Sequence, residues 1–172
     1  MARRFVIVMM VLGLAGTGCA SRGPSASAPA PTAAGDARRV IVAWLECEEC
    51  GDGELTAVVK LGEAAVPSLV ATLRDGPSPA SREQHRRHLV ATYADLKRFA
   101  AGRPDRKLIA SEDEYVRMFA DNYVALYRVR SAVALGAIGG SQAAAALDDA
   151  QRAGYRDDVT AAVITARRRL TR

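Results

Sequence analysis

The sequence predicts an all-α protein that begins with a targeting leader. Of its 172 residues, 49% are hydrophobic but only 5% are aromatic, so alanine, valine and leucine supply most of the apolar surface. Such side chains favour closely packed helices over sheets with bulky cross-strand pairs. Apolar residues recur at helical spacing after residue 35, and one pair of helical segments returns near the C-terminus.

The first 18 residues have the order of an export signal peptide. A basic start with Arg3 and Arg4 precedes an apolar run over residues 5–15, and small residues follow. Removal of this leader lowers the formal charge from +5 to 5 − 2 = +3. That balance is ordinary, so we do not expect nucleic acid as a partner.

The residues at the end of the leader, Gly-Thr-Gly-Cys at 16–19, resemble the lipobox of bacterial lipoproteins, although Gly16 stands where that family prefers leucine. The resemblance implies cleavage before Cys19 and a diacylglyceryl group on its sulfur, which would anchor the chain in a bacterial cell envelope. Ala20 replaces the aspartate that retains lipoproteins in the inner membrane, which favours the outer membrane and a domain that faces the periplasm. The alternatives are a plain signal peptide, an uncleaved anchor, or an incidental cysteine in a leader that is removed.

A tether should follow the leader, because residues 19–35 consist almost entirely of Ala, Pro, Ser, Gly and Thr. Such a composition cannot bury a core. We predict a single folded domain over residues 36–172.

Three short helices are predicted at the start of this domain. Asp36 can cap the first, which should end around Cys50, before Gly-Asp-Gly at 51–53. The second should cover residues 54–61 and stop at Gly62. Pro67 suits the first turn of the third, over residues 66–73.

Two long helices are predicted next; the first lies within a helical insertion over residues 77–123, and the second begins in that insertion and continues beyond it. Ser78 and Pro79 can start the first, which should run to about residue 101. Ser111 and Glu114 form a capping-box signature for the second, which should run to about Ile138.

The last two helices complete the domain. Ser141 can cap the first of them, and Asp157 or Asp158 should start the second. Arg167, Arg168, Arg169 and Arg172 lie at its C-terminal end, where positive charge complements the helix dipole; a binding patch is the alternative.

The repeated pattern has an offset of 135 − 61 = 74 residues, because Leu-Gly at 61–62 returns at 135–136. Val-Arg-Ser-Ala-Val-Ala-Leu-Gly-Ala-Ile-Gly at 129–139 resembles HEAT repeats, especially the short HEAT-like repeats of phycobilisome lyases. Leu-Gly-x-Ala-Ala-Val-Pro-x-Leu at 61–69 fits the second half of that motif. The resemblance implies a solenoid-like stack of helical hairpins, with repeat units over about 54–75 and 124–150 and a Leu-Gly turn in each. Two Ala-rich hairpins that are alike by composition alone are the alternative.

The pair Cys47 and Cys50 is the sharpest local chemical feature. Surrounding acidic residues disfavour the thiolate that redox catalysis needs, and c-type haem attachment lacks its histidine. A Cys₂His₂ zinc site with His85 and His88 is an alternative by residue type. A structural disulfide is the preferred interpretation in an exported domain, with two reduced thiols as the other alternative.

No further motif points to chemistry, so we predict no enzymatic activity, no catalytic residue, no metal and no cofactor. The insertion is basic, and the basic residues of its first part are Arg82, Arg86, Arg87, Lys97, Arg98, Arg103, Arg106 and Lys107. Anionic lipid, lipopolysaccharide or an acidic protein could bind there, but a solvated helix face is the preferred explanation of these charges.

The sequence as a whole predicts a membrane-tethered envelope lipoprotein that acts as a non-catalytic protein-interaction or scaffold module. Its partner would be another envelope protein, and a homodimer is one way to cover the open end of a two-repeat stack. The alternative is a metal-binding or redox-responsive envelope protein that uses Cys47 and Cys50.

Overall fold

The computed structural model describes residues 33–47, 49–103 and 107–171, so the leader, Cys19 and most of the tether lie outside the described residues. The described chain consists of helices joined by short turns, which confirms the predicted all-α class. Seven α-helices and one 3-10 helix are present in these ranges: α1 (Ala33–Glu46), α2 (Asp52–Lys60), the 3-10 helix (Gly62–Ala65), α3 (Val66–Asp75), α4 (Pro79–Ala101), α5 (Glu112–Ile138), α6 (Ser141–Arg152) and α7 (Asp157–Arg169).

Local signals set the starts of the two long helices as predicted. Ser78 caps α4, since its side-chain oxygen accepts a hydrogen bond from the backbone N–H of Ser81 at 3.1 Å, and Pro79 occupies the first helical position. The capping box of α5 is present, because the backbone N–H of Ser111 donates to Glu114 at 2.8 Å and the backbone N–H of Glu114 donates to Ser111 Oγ at 3.3 Å. Both contacts satisfy amide groups that a helix N-terminus leaves without partners.

The predicted cap of α6 is wrong by one position. Ser141 is the first residue of the helix, and the capping residue is Gly140, whose φ of 88° lies in the left-handed region. Gly139 before it also has a positive φ, of 81°. Two consecutive glycines therefore make the sharp turn, because residues with a Cβ atom rarely adopt this conformation.

The first helix ends earlier than predicted, at Glu46 rather than around Cys50. The guanidinium of Arg130, on α5, donates hydrogen bonds to the carbonyl oxygens of Leu45 at 2.7 Å and Cys47 at 2.6 Å. Carbonyls at a helix C-terminus have no intrahelical partner and need one from elsewhere. Arg130 supplies it, so the chain can leave the helix before the cysteine pair.

Helix α5 is the centre of the domain and packs against each of the other six α-helices. Its C-terminal half carries small buried side chains, with Ala132, Ala134 and Leu135 fully inaccessible to solvent. Around them lie the buried residues of the neighbouring helices, Ile41, Trp44, Leu45, Val58, Leu69, Leu73, Leu147, Val159 and Val163. Because its side chains are small, one long helix can pack against several neighbouring helices at short interaxial distances.

The predicted Leu-Gly turn at 135–136 is wrong, because both residues lie inside α5. Leu61 and Gly62 do end α2, with Gly62 at a φ of 57°, but α5 continues to Ile138. A Cβ atom on Gly136 would meet Ala166 of α7 at 2.7 Å. Gly136 therefore allows α5 and α7 to approach each other closely, and the turn after α5 begins at Gly139 instead.

The two similar segments also differ in how their helices meet. The axes of α2 and the following residues 62–75 are bent by 101°, and α2 makes little contact with α3. The segment does not fold into the antiparallel hairpin expected there, because α2 packs mainly on α1 while α3 packs mainly on α5. Three pairs of buried positions nevertheless keep the offset of 74: Val58 and Ala132, Leu69 and Ala143, and Leu73 and Leu147 are all at most 1% exposed.

Helices α4 and α5 form a long hairpin that runs away from this core. Packing of Tyr93 on Tyr115 and of His85 on Tyr123 joins the two helices along their length. Helix α5 continues without a break through residues 123 and 124, where the predicted insertion meets the predicted second repeat unit. The insertion and the second unit therefore share one helix.

Candidate functional site

The disulfide pair lies directly after α1. Cys47 and Cys50 are at disulfide distance, with Cα atoms 5.4 Å apart. Cys47 is half-buried and Cys50 is exposed. The sulfur of Cys47 also lies 3.1 Å from the carbonyl oxygen of Trp44. This geometry agrees with the interpretation of the pair as a structural disulfide that fixes the end of α1.

Arg130 connects this segment to the centre of the domain. Besides the two hydrogen bonds from its guanidinium, its own carbonyl oxygen accepts a hydrogen bond from Trp44 Nε1 at 3.1 Å. Burial lowers the pKa of Arg130, which partial withdrawal of a cation from water should do. The end of α1 is thus held to α5 by three polar contacts around a buried indole.

A chain of hydroxyl groups lies beside Arg130 and ends at Glu46. Ser81 Oγ is 2.7 Å from Tyr123 Oη, and Tyr123 Oη is 3.0 Å from Tyr127 Oη. The hydroxyl of Tyr127 donates a short hydrogen bond to Glu46, the residue before Cys47. We call these four residues the polar chain. It joins α4 and α5 to the end of α1.

Burial sets the chemistry of the polar chain. Tyr127 is 5% exposed. Burial is the largest cause that raises the pKa of Tyr127 above its ordinary value of 10.0, and the hydrogen bonds to Glu46 and Tyr123 add to it. A phenol with a raised pKa holds its proton, so Tyr127 is a stable hydrogen-bond donor and a poor proton source.

An open groove of about 960 Å³ lies above the polar chain. Its walls come from α1, α3 and the first turns of α4, and Glu46, Ser81 and Tyr127 form part of its lining. Many of the other lining residues are small: Ala37, Ala64, Ser68, Thr72, Gly76 and Ala80. Val42, on α1, contributes an exposed apolar side chain to the rim, at 39% exposure. Small lining residues leave room for the backbone of a bound segment to approach closely.

The predicted zinc alternative is not assembled in the described residues. No group of three or more His, Cys, Asp or Glu side chains there is arranged to hold a metal ion. His85 stacks on the Tyr123 ring, with centroids 4.0 Å apart, and burial followed by the charge of His88 lowers its pKa. His85 therefore packs against an aromatic ring on the α4–α5 hairpin. It does not join Cys47 and Cys50 in a zinc site.

The basic residues of α4 are partly paired on their own helix. Arg86 and Arg87 donate to Glu83, and Arg98 donates to Asp95. At the far end of the chain, Arg167 donates to Asp148 on α6 at 2.5 Å. These contacts are those of solvated, ion-paired helix faces.

Sequence reasoning missed Arg130, Tyr127 and Glu46 as members of one site. The contacts join residues more than 80 positions apart in the sequence, so no local spacing of residues indicates them. Two weak signals were present: an arginine in the apolar run of 129–138, and tyrosines at i and i+4 at 123 and 127. An arginine partly withdrawn from water needs hydrogen-bond partners, and tyrosines one turn apart on a helix lie side by side.

Comparisons with known proteins identify no family. No protein-family model matches the chain, and neither the curated proteins nor the solved structures yield a match. Among the described residues, no single helix is long and apolar enough to cross a membrane; the bent pair Asp52–Lys60 with Gly62–Asp75 meets that criterion by length and composition only.

Proposed function

We propose that this chain is a membrane-tethered envelope lipoprotein that acts as a non-catalytic protein-interaction or scaffold module. The observation that carries the proposal is the groove between α1, α3 and α4, which is open, lined largely by small residues, and backed by polar groups that already bond one another. Tyr127, whose raised pKa makes it a poor proton source, is hydrogen-bonded to Glu46. A wall fixed in this way suits a rigid docking surface.

The occupant of the groove is a segment of another envelope protein with small apolar side chains. The groove volume of about 960 Å³ is large enough for several residues of such a segment. Ser68, Thr72 and Gln84 line its walls and offer hydrogen-bonding groups for a peptide backbone. The disulfide and Arg130 hold the α1 wall in place, which lowers the entropic cost of binding.

The architecture we propose is that of HEAT-like helical pairs. Two features support it: the motif at 129–139, and the three pairs of buried positions that keep the offset of 74 residues. Contacts of α3 with α6 and of α2 with α5 agree with stacking of corresponding helices. The 101° bend after α2 makes the first pair an open variant of the usual hairpin.

The proposed membrane tether depends on Cys19, which the lipobox-like run supports. Replacement Cys19→Ala should move the protein from the membrane fraction to the soluble fraction, and the wild type should carry the mass of its acyl groups. A mutant that still fractionates with membranes, together with a wild type of unmodified mass, would show that the lipoprotein assignment is wrong.

The interaction role is tested by blocking the groove. Thr72→Trp places a large side chain among the small lining residues, whereas Ala71→Trp adds the same side chain at an exposed position of α3 outside the groove. Affinity purification from the native envelope, quantified by mass spectrometry, should show partners that bind wild type and Ala71→Trp but are depleted at least tenfold with Thr72→Trp. Equal recovery of every partner by all three proteins would contradict docking in the groove.

A redox-responsive role is the second candidate, because the disulfide adjoins the groove. Glu46 accepts the hydrogen bond from Tyr127 and is followed directly by Cys47, whose carbonyl oxygen is held by Arg130. Reduction could therefore change the α1 wall. This role predicts that reduction changes the partners recovered with wild type but not those recovered with a Cys47→Ser/Cys50→Ser double variant. Recovery of the same partners with oxidised and with reduced wild type would contradict the role.

A further inference from the structure

Glu46 places a carboxylate without a cationic partner in the wall of the groove. The residue is exposed and belongs to the groove lining, and it forms no ion pair with any other described residue. Many other carboxylates of the described chain do pair with an arginine, and these are Asp36, Asp75, Glu83, Asp95, Asp148, Asp149 and Asp158. The groove therefore presents a negative charge to whatever enters it.

The two arginines of the site leave this charge unneutralised. The guanidinium of Arg130 donates to the carbonyl oxygens of Leu45 and Cys47. Arg38 is the cation of the groove lining, but it lies eight residues before Glu46 on α1, which is about 12 Å along the helix axis. A cation that balances Glu46 would thus have to come from the occupant of the groove.

The place of Glu46 within α1 makes its charge unfavourable by itself. Glu46 is the last residue of the helix. Because the helix dipole is negative at this end, cations are stabilised there and anions are not. Departures from such local preferences are expected at functional sites. A bound cation would be attracted both by the carboxylate and by the end of the helix.

The polar chain holds the carboxylate in one orientation. Glu46 Oε1 accepts the hydrogen bond from the hydroxyl of Tyr127, which is itself 3.0 Å from the hydroxyl of Tyr123. Burial raises the pKa of Tyr127, so the phenol keeps the proton that it donates. Oε2 has no hydrogen-bond partner among the described residues. A cation would therefore meet one free oxygen on a side chain that is already ordered, which lowers the entropic cost of binding.

Val42 supplies an apolar surface beside this oxygen. Val42 and Glu46 are at positions i and i+4 of α1, so they lie on the same face of the helix, one turn apart. Both line the groove, and Val42 is 39% exposed. Long basic side chains cover apolar surface with their methylene groups and keep the charged end on a polar group. Such a side chain can cover Val42 and reach Glu46 at the same time.

We propose that Glu46 binds a lysine side chain of the segment that docks in the groove, and thereby selects which proteins dock. The inference rests on the proposed function and adds the chemistry of the partner, a run of small residues that contains one lysine. Lysine fits better than arginine, because the guanidinium fork bonds best to both oxygens of a carboxylate and Tyr127 occupies one of them.

A metal ion is a poorer occupant than a lysine ammonium. Calcium takes roughly six to eight oxygen ligands. The described residues contain no group of three or more His, Cys, Asp or Glu side chains that could hold a metal ion. The hydroxyl groups near Glu46 are also bonded to one another. One free carboxylate oxygen suits a single ammonium group instead.

Selection from a phage-displayed library of random peptides tests the proposal, with the full chain carrying Cys19→Ala as bait. Peptides that this chain binds and that Thr72→Trp loses should share a lysine at a constant position among small residues. Glu46→Gln still offers Tyr127 an acceptor oxygen but has no charge, and should weaken these peptides about tenfold or more. Glu49→Gln removes an exposed charge outside the groove lining and should change their affinity by less than about threefold.

Charge reversal distinguishes selection by Glu46 from a purely structural role. A library selected on Glu46→Lys should show aspartate or glutamate where the first selection showed lysine, which a general loss of groove shape cannot produce. Raising the ionic strength should also weaken binding to the wild-type groove more than binding to Glu46→Gln, because salt screens the ion pair.

The outcomes separate this inference from the proposed function. Peptides that Thr72→Trp loses but that lack a fixed basic residue, or that bind Glu46→Gln with unchanged affinity, would overturn the role of Glu46 and leave the docking groove in place. More arginine than lysine at the fixed position would overturn the lysine assignment. If Thr72→Trp loses no peptide, both the docking groove and this inference are wrong.

Discussion

Gly136 on α5 and Ala166 on α7 approach so closely that a Cβ atom on Gly136 would lie 2.7 Å from the Cβ and 2.8 Å from the Cα of Ala166. These separations are shorter than normal van der Waals contacts, so the crossing of α5 and α7 exists only because residue 136 has no side chain. The same glycine was expected to form a turn. Its actual role makes the contact between the central helix and the last helix a principal stabilising feature of the domain.

Gly136→Ala should destabilise the protein by about 1–2 kcal/mol. Alanine favours a helix by about 1 kcal/mol over glycine, but the clash with the α7 backbone should cost about 2–3 kcal/mol. Urea unfolding measures the difference. Gly53→Ala is the control, because no atom lies within 4 Å of the added Cβ and the residue is also helical, so stability should stay constant or rise. Equal stabilisation by both substitutions would contradict the close approach.

Tyr127→Phe should change how stability depends on pH. The folded-state pKa of Tyr127 is raised above 10.0, chiefly by burial. Below pH 10 both states keep the proton. Above it the unfolded state loses the proton first, so the stabilisation declines as pH rises towards the folded-state pKa. Between about pH 10 and 11, wild type should therefore lose up to about 1.4 kcal/mol more than Tyr127→Phe. Identical losses in urea unfolding would show that the hydroxyl is not held as described.

Arg130→Met should loosen α1 without unfolding the domain. Loss of the guanidinium leaves the carbonyls of Leu45 and Cys47 without their partner, which should cost about 2 kcal/mol. Hydrogen exchange of residues 36–47 should accelerate, while the indole contact to the backbone of residue 130 remains available. Arg117→Met, at an exposed position of α5, should leave this exchange unchanged. An unaltered α1 in Arg130→Met would mean that the disulfide alone fixes the helix end.

Ser131→Ala should stabilise the protein by about 1 kcal/mol. The residue is fully buried in α5, and its hydroxyl oxygen has no hydrogen-bond partner among the described residues. An unsatisfied buried hydroxyl carries a desolvation cost that alanine removes. Thermal or urea unfolding should show the gain, with Ser141→Ala, at an exposed helix position, changing stability by less than about 0.5 kcal/mol. A loss of stability in Ser131→Ala would indicate a bonded hydroxyl.

Local sequence signals predicted much of the secondary structure because they act over a single turn. Ser78 with Pro79, and Ser111 with Glu114, satisfy helix N-termini within three residues, and both starts were found where predicted. The end of α1 could not be found in this way, since Arg130 comes from 83 and 85 residues away to bind its carbonyls.

Tertiary packing also decided features that the sequence pattern left ambiguous. A Leu-Gly pair suits a turn as well as a close helix crossing, and only the position of Ala166 distinguishes the two at 135–136. The candidate site likewise has one part that local sequence spacing indicates and one part that only tertiary packing brings together. The cysteine pair was identified from spacing, but the polar chain of Ser81, Tyr123, Tyr127 and Glu46 joins three helices and has no local pattern.

The proposal that the groove docks a partner protein is tested most directly by photo-crosslinking in living cells. A photoreactive amino acid at position 84, on the edge of the groove, should give a discrete adduct with an envelope protein. Thr72→Trp in the same chain should abolish that adduct, and Ala71→Trp should preserve it. The absence of any adduct, or an adduct that survives Thr72→Trp at full yield, would contradict the proposal.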